Sequence, residues 1–290
     1  MTRPSACRFW MPDIYKAMRE ALKQARIETP DLEARLILKH VLKVSDAALI
    51  AGEAISANPQ QAEQIRTIVA RRVANEPLSR IFGEREFYGL TFHVTPDVLD
   101  PRPDTETIID AVCDSGVAPI RILDLGTGSG ALIVTLLHLF PQAQGVAVDI
   151  SEAALSIAKK NAARNGVDSR VKFVRGSWLD SLNEDESFDL IVSNPPYIPS
   201  NDIPNLESSV KNHDPILALD GGKDGFDAYN VIITKIKKRL HDNGKALFEV
   251  GIGQASYVVR LAENNGFAHT RIYQDLSGVP RAVEISMGKK

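Results

Sequence analysis

Cysteine is scarce: only Cys7 and Cys113 occur in 290 residues, and they lie far apart. That argues against a disulfide framework and fits a reducing compartment; the two are expected as a surface thiol and a small core residue. An excess of one charge is lacking too. Lys and Arg number 34 against 37 Asp and Glu, a net charge of −3, so no global field favours a nucleic-acid backbone, whose binders are usually basic. The six histidines, His40, His93, His138, His213, His241 and His269, have no metal-ligand spacing, and no metal site is expected. No G-x-S-x-G nucleophile elbow occurs, which sets hydrolysis aside. The longest apolar run, residues 131–140, is too short to span a bilayer. The N-terminus has no continuous apolar stretch of the kind a secretory signal needs. The expectation is a cytoplasmic protein without membrane contact, with Met11 as an alternative start because residues 1–10 show no periodic pattern.

What is present sorts into two periodicities. To about residue 75 the spacing is helical: Ile14, Met18, Leu22 and Ala25 mark one face, and Leu32, Leu36, Ile37, Val41 and Leu42 another. Thr29-Pro30 and Asn58-Pro59 read as N-cap and first-turn pairs, which predicts helix starts near 30 and 59. Residues 1–86 are therefore expected to form a helical domain, to which the family resemblance set out below adds a role in substrate recognition. Residues 88–94 alternate like a hairpin strand, and 87–106 are expected to link the bundle, as a β-hairpin, to a domain over 107–290. There, strands near 121–126, 144–150, 171–176, 188–194 and 245–250 alternate with helices near 129–139, 151–164, 227–240 and 254–265. Such alternation implies a parallel sheet covered on both faces. Residues 269–275 and 282–287 also read as strands, but the turn between them is too short for a parallel crossover, so the last strand is predicted antiparallel. An α/β, doubly wound, mostly parallel seven-stranded sheet with an antiparallel final strand resembles the class I S-adenosylmethionine-dependent methyltransferase fold.

Two segments carry chemistry. Residues 188–197 read Phe-Asp-Leu-Ile-Val-Ser-Asn-Pro-Pro-Tyr, a buried strand that breaks at Asn194. Pro195 and Pro196 have fixed φ and no N–H, and they also restrict the residues before them, so the chain leaves the strand as a stiff extended bend. The Asn194 side-chain carbonyl and the Pro195 main-chain carbonyl can then converge on one planar –NH2, with Tyr197 as a flat wall. The bland alternative is a strand-ending turn in which Asn194 satisfies its own backbone.

The second segment, Arg121-Ile-Leu-Asp124-Leu-Gly126-Thr127-Gly128-Ser129-Gly130, follows a strand and opens a helix, and Asp149 ends the next strand. Glycines let a ligand approach the backbone, and the acidic residue can take two ribose hydroxyls. The string also satisfies the dinucleotide pattern, since residue 131 is Ala. Asp124 favours the other reading: its carboxylate would repel a pyrophosphate and attract the ammonium and sulfonium end of S-adenosyl-L-methionine. Trp178, after the third strand, is equally readable as an adenine-stacking ring or as core. Residues 198–227, rich in Pro, Gly, Asn and Asp, read as a long structureless lid or binding loop whose 212–215 and 220–226 stretches shape an entrance.

In order along the chain come Glu76-Pro77, Gly83-Glu-Arg-Glu-Phe-Tyr-Gly89, Pro101-Arg-Pro-Asp-Thr-Glu106, Asp124-Leu-Gly-Thr-Gly-Ser-Gly130, Asn194-Pro-Pro-Tyr-Ile-Pro199, Asp220-Gly-Gly-Lys-Asp-Gly225 and Glu249-Val-Gly251. This set resembles the HemK family, which methylates the side-chain amide of the glutamine in the Gly-Gly-Gln loop of peptide chain release factors. The resemblance implies a donor site at residues 126–130, Asp149, Trp178 and Asn194, with Asn194, Pro195, Pro196 and Tyr197 holding the glutamine amide. It implies S-adenosyl-L-methionine as cofactor and release factors as protein partners, with no direct nucleic-acid contact. Three positions depart from the family pattern: Asp104 for the usual Glu, Asp100 for an apolar residue, and Ser177 for an Asp before the tryptophan. Asn-Pro-Pro-Tyr is shared with enzymes that methylate exocyclic amines of nucleic-acid bases, which is the alternative reading. A dehydrogenase and a non-catalytic binding protein on the same fold stand further back.

Overall fold

Pro30 and Pro59 each open a helix, as a proline can where its missing N–H would have had no helical partner. The computed structural model describes residues 9–50, 56–116 and 118–288, so Cys7 lies outside it, with the rest of residues 1–8. These residues form two units, one running to Phe82 and the other starting at Gly83.

The first unit contains β1 (Phe9–Trp10), α1 (Met11–Gln24), α2 (Pro30–Leu42), α3 (Asp46–Ile50), β2 (Ser56–Ala57), α4 (Pro59–Val73) and α5 (Leu78–Phe82), with β1 and β2 paired antiparallel. Asn58 caps α4 in a full capping box: its side chain accepts the Gln61 N–H at 2.8 Å, and the Gln61 side chain accepts the Asn58 N–H at 3.0 Å. Met18, Leu22, Ile37, Leu38, Val41 and Ile65 share one core. In α2 the inward stripe is Ala34, Ile37, Leu38 and Val41, so Leu32 and Leu36 are exposed, contrary to the expected face.

The second unit opens with β3 (Glu84–Phe87) and β4 (Leu90–His93). Tyr88 and Gly89, both at positive φ, are the turn between them and not part of a strand, which suits a two-residue hairpin. The rest alternates: α6 (Glu106–Asp114), β5 (Arg121–Leu125), α7 (Ala131–Leu139), β6 (Gln144–Asp149), α8 (Glu152–Arg164), β7 (Val171–Arg175), β8 (Phe188–Ser193), α9 (Ser208–Lys211), α10 (Asp227–Ile236), β9 (Leu240–Glu249), α11 (Ala255–Asn264), β10 (His269–Gln274) and β11 (Pro280–Ser286). The sheet order is β10-β11-β9-β8-β5-β6-β7. Neighbours from β9 to β7 are parallel, and β11 is antiparallel to both β9 and β10. The doubly wound sheet with an antiparallel last strand is therefore present.

Strand alternation sorts side chains to two cores. Leu123 and Leu125 join Phe188, Phe248, Ile232 and Val258 on one face. Ile122 joins Phe92, Ile109, Ile133, Leu190 and Leu247 on the other. α7 is buried almost all round, which explains the apolar run at 131–140 without a membrane. No helix among the described residues is long and apolar enough to cross one. Cys113 is exposed, on the outer side of α6, and so is not the core residue expected. β9 starts five residues before the expected 245. Leu240 pairs with Phe188 and Lys245 with Leu190, so the polar stretch between them bulges from the ladder.

Candidate active site

β5 and β6 run side by side and end together, which brings the loop after β5 over the end of β6. The N–H groups of Gly126 and Thr127 both donate to the Val148 carbonyl, at 2.9 and 3.0 Å. Gly126, Gly128 and Gly130 all have positive φ, at 72°, 55° and 82°. A Cβ on Gly130 would stand 3.2 Å from the Ala158 Cβ, so this glycine lets α7 and α8 close on each other. A Cβ on Gly126 would stand 3.3 Å from the Trp178 ring, which places that ring against the loop.

Two carboxylates sit at this loop. Asp124 is buried, with Oδ2 accepting the Thr127 hydroxyl at 2.6 Å while Oδ1 has no hydrogen-bond partner. Burial pushes its pKa up to about 7 against the Thr127 hydrogen bond, and the Asp149 charge adds to the rise. A buried carboxylate with one oxygen unbonded favours a cationic group beside it. Asp149 accepts the Gly128 N–H at 2.8 Å and the Ser151 N–H at 2.9 Å, which fixes its plane. Burial raises its pKa also, opposed by those backbone donors.

β8 lies on the other side of β5, and the Ser193 hydroxyl donates to the Leu125 carbonyl at 2.7 Å. Asn194 is thereby held beside the glycine loop. Its Nδ2 donates to the Thr105 Oγ1 at 3.2 Å, which leaves the side-chain oxygen to accept from a ligand. The bend that follows is braced on several sides. Ile198 exchanges backbone hydrogen bonds with Leu219 and Gly221, and Gln254 Nε2 donates to the Tyr197 carbonyl at 2.9 Å. Tyr197 itself is largely buried. Its hydroxyl donates to Glu249 Oε1 at 3.2 Å, and its pKa is raised by burial and by that carboxylate.

A cavity of about 520 Å³ joins these groups, with Asp124, Gly126, Asp149, Trp178 and Asn194 in its wall. Thr127, Gly128, Ser129 and Pro196 line it too, whereas Gly130, Pro195 and Tyr197, expected in the site, are not among its lining residues. Residues 198–227 are not structureless: they carry α9 and two single helical turns, Ile203–Asn205 and Ile216–Ala218. Pro215, Leu217 and Asp220 from this segment line the cavity. Arg102 ties it down through a 2.5 Å ion pair to Asp214, whose other oxygen accepts the Asp100 N–H. Pro101, Arg102 and Thr105 also line the cavity, so the proline-rich stretch 101–106 is part of the site. Sequence reasoning had that motif but no chemistry for it. Of the departing positions, Asp104 pairs with Arg281 at 2.8 Å, Asp100 is buried, and Ser177 is exposed in the lining. Among the described residues no cluster of three or more His, Cys, Asp or Glu side chains is placed to hold a metal ion.

Comparison with known proteins bears on the domains, the fold and the family. Residues 118–249 match the methyltransferase domain family, and residues 13–83 match the PrmC N-terminal domain family. Among solved structures, the hMettl16 catalytic domain in complex with MAT2A 3'UTR hairpin 6 superposes with a TM-score of 0.59 at 20% identity, over 77% of this chain and 83% of that one. A methyltransferase from Pyrococcus furiosus gives a TM-score of 0.52 at 17% identity, over 76% and 98%. At such identities these two establish the fold. The release factor glutamine methyltransferase of Bradyrhizobium diazoefficiens is 42% identical over 274 residues, 92% of each chain. That of Rhodospirillum rubrum is 42% identical over 267 residues, 90% of this chain and 80% of the other. That of Geobacter sulfurreducens is 39% identical, over 91% and 92%. With such identity over nearly its whole length, this chain belongs to the release factor glutamine methyltransferase family.

Proposed function

We propose that this protein transfers a methyl group from S-adenosyl-L-methionine to the side-chain amide nitrogen of the glutamine in the Gly-Gly-Gln motif of peptide chain release factors. The observation that carries this reading is the orientation of Asn194. Its –NH2 group is turned to Thr105, with one N–H donated there, so an acceptor oxygen is left at the wall of the cavity that also holds Asp124 and Asp149. The relatives named above carry the release factor as substrate in their own names.

The residues present fit such a donor. The free Oδ1 of Asp124 suits its ammonium end, Asp149 suits its ribose hydroxyls, and Trp178 beside Gly126 offers a face for adenine. When bound, the donor supplies an electrophilic methyl group on a sulfonium. The chain's task is then to aim a poor nucleophile. An amide nitrogen has its lone pair delocalised into its carbonyl, and two carbonyl acceptors on its N–H bonds, from Asn194 and Pro195, hold it in place and favour the positive charge that grows on it. Holding two reactants in attack geometry supplies up to about 7–11 kcal/mol. The proton leaves to water after transfer, and no side chain is assigned as base.

The test is methyl transfer from labelled donor to a purified release factor, beside a variant lacking the Gly-Gly-Gln glutamine and a nucleic-acid control. Label should appear on the intact factor and vanish with the glutamine. Asn194→Ala should lower the rate about 100-fold or more, by analogy with removing one transition-state hydrogen bond. Label confined to nucleic acid would overturn the substrate assignment, and unchanged Asn194→Ala kinetics would overturn the amide clamp.

A further inference from the structure

Glu249 is a buried carboxylate that the reaction described above does not use. It ends β9, is 1% exposed, and accepts the Tyr197 hydroxyl on Oε1. Its Oε2 is buried without a hydrogen bond of ordinary geometry, and the Thr105 hydroxyl stands close enough to draw the carboxyl's pKa down. Tyr229 donates to the Glu249 main-chain carbonyl at 2.7 Å, which holds this end of the strand. A carboxylate in such a place is costly, so the chain gains something by keeping it.

The hydrogen-bond polarity shows what. Thr105 Oγ1 accepts Asn194 Nδ2. A hydroxyl has one proton, and when Glu249 is ionised that proton goes to the carboxylate, leaving only lone pairs to face Asn194. Asn194 must then present its N–H to Thr105 and its oxygen to the cavity. Once Glu249 is protonated the order can reverse: Glu249 donates to Thr105, Thr105 donates to the Asn194 oxygen, and the Asn194 –NH2 turns toward the substrate. Two amide –NH2 groups would then face each other.

We propose that Glu249 is a positioning residue for methyl transfer, fixing through Thr105 which way the Asn194 carboxamide points and holding Tyr197 behind the acceptor. This rests on the amide-clamp reading above. Burial raises the Glu249 pKa to about 7, against the Thr105 and Tyr197 hydroxyls. The charged groups acting on it are Asp104, which raises it further, and Arg281, which lowers it and is itself paired with Asp104 and Asp275. Loss of the carboxylate on acidification therefore falls within the working range of pH.

The experiment compares the full-length enzyme with Glu249→Gln, Thr105→Val and Thr105→Ser, reading kcat and KM for a release factor at saturating donor from pH 5.5 to 8.5, and donor affinity by calorimetry. Unaltered enzyme should lose kcat as pH falls through about 7. Glu249→Gln should lower kcat about 10- to 100-fold at pH 8, the scale of a small misplacement. It should also flatten the acid limb and leave donor affinity and KM nearly unchanged. Thr105→Val should behave alike and Thr105→Ser should recover most of the rate. The Thr105 pair decides the matter if Glu249→Gln does not fold. If Glu249→Gln, or Thr105→Val in its place, keeps both kcat and the acid limb, Glu249 has no positioning role. If the unaltered enzyme methylates no release factor, the amide-clamp reading falls, and this role falls with it.

Discussion

Asp124 is where a single side chain decides how the site meets its ligand. Its pKa lies near 7 because burial opposes the charge, so the donor-free folded chain holds a proton that the unfolded chain, with an ordinary carboxyl at 3.8, releases. Stability from this group is present below the unfolded value and is lost as pH rises through about 7. A cation at the free Oδ1 pulls the pKa back down. Donor binding near pH 7 should therefore release protons, and the donor-induced rise in Tm should grow between pH 5.5 and 8. Calorimetry in two buffers of different ionisation enthalpy checks the first and thermal melts check the second. Asp124→Asn should abolish the proton release and weaken donor affinity about 30-fold or more, the loss expected when one member of a desolvated charge pair is removed. Asp124, Asp149 and Asn194 were legible in the sequence because each sits at a strand end, next to a local signal. Thr105 and Glu249 stand in the motifs at 101–106 and 249–251, but their part was not legible there. They lie 144 positions apart and meet through a buried contact with each other and with the Asn-Pro-Pro-Tyr bend, which no local pattern encodes.

At the level of elements, the strands and crossover helices were readable because their apolar runs alternate in length and period. α2 shows where this stops. Leu32 and Leu36 have helical spacing but lie outside the inward stripe of Ala34, Ile37, Leu38 and Val41, so spacing alone does not say which of two overlapping stripes faces the core. The segment 198–227 was unreadable for another reason: turns of three or four residues leave no period, and their positions are set by distant partners such as Arg102. The packing of α7 on α8 gives a clean test. Gly130 and Gly253 both have φ of 82°, but only Gly130 faces a neighbour, Ala158, within contact distance. Both alanine variants carry the left-handed backbone cost of about 1–2 kcal/mol. Gly130→Ala should lose a further 1–3 kcal/mol or so through overpacking, with weaker donor binding besides. Denaturant midpoints that shift equally would show that the α7–α8 contact is not tight.

For the molecule as a whole, the two units invite a division of labour. Among the described residues, all those that line the cavity belong to the second unit, from Gly83. Removing residues 1–82 should therefore weaken binding of the release factor more than binding of the donor. Donor calorimetry and a release-factor pull-down on the shortened chain would check this, and the reverse pattern would refute a recognition role for the helical unit. The hairpin β3–β4 belongs with the second unit, since Asn161 of α8 bonds both His93 and the Ser129 carbonyl of the glycine loop. The order of the large sheet has one more result. β11 fits between β9 and β10, yet it is made after both. Until β11 takes that place, Ala246, Leu247 and Phe248, all fully buried in the finished sheet, belong to a strand with one edge unpaired. The folding chain is thus exposed to edge-to-edge aggregation until β11 is inserted between two strands that precede it in sequence.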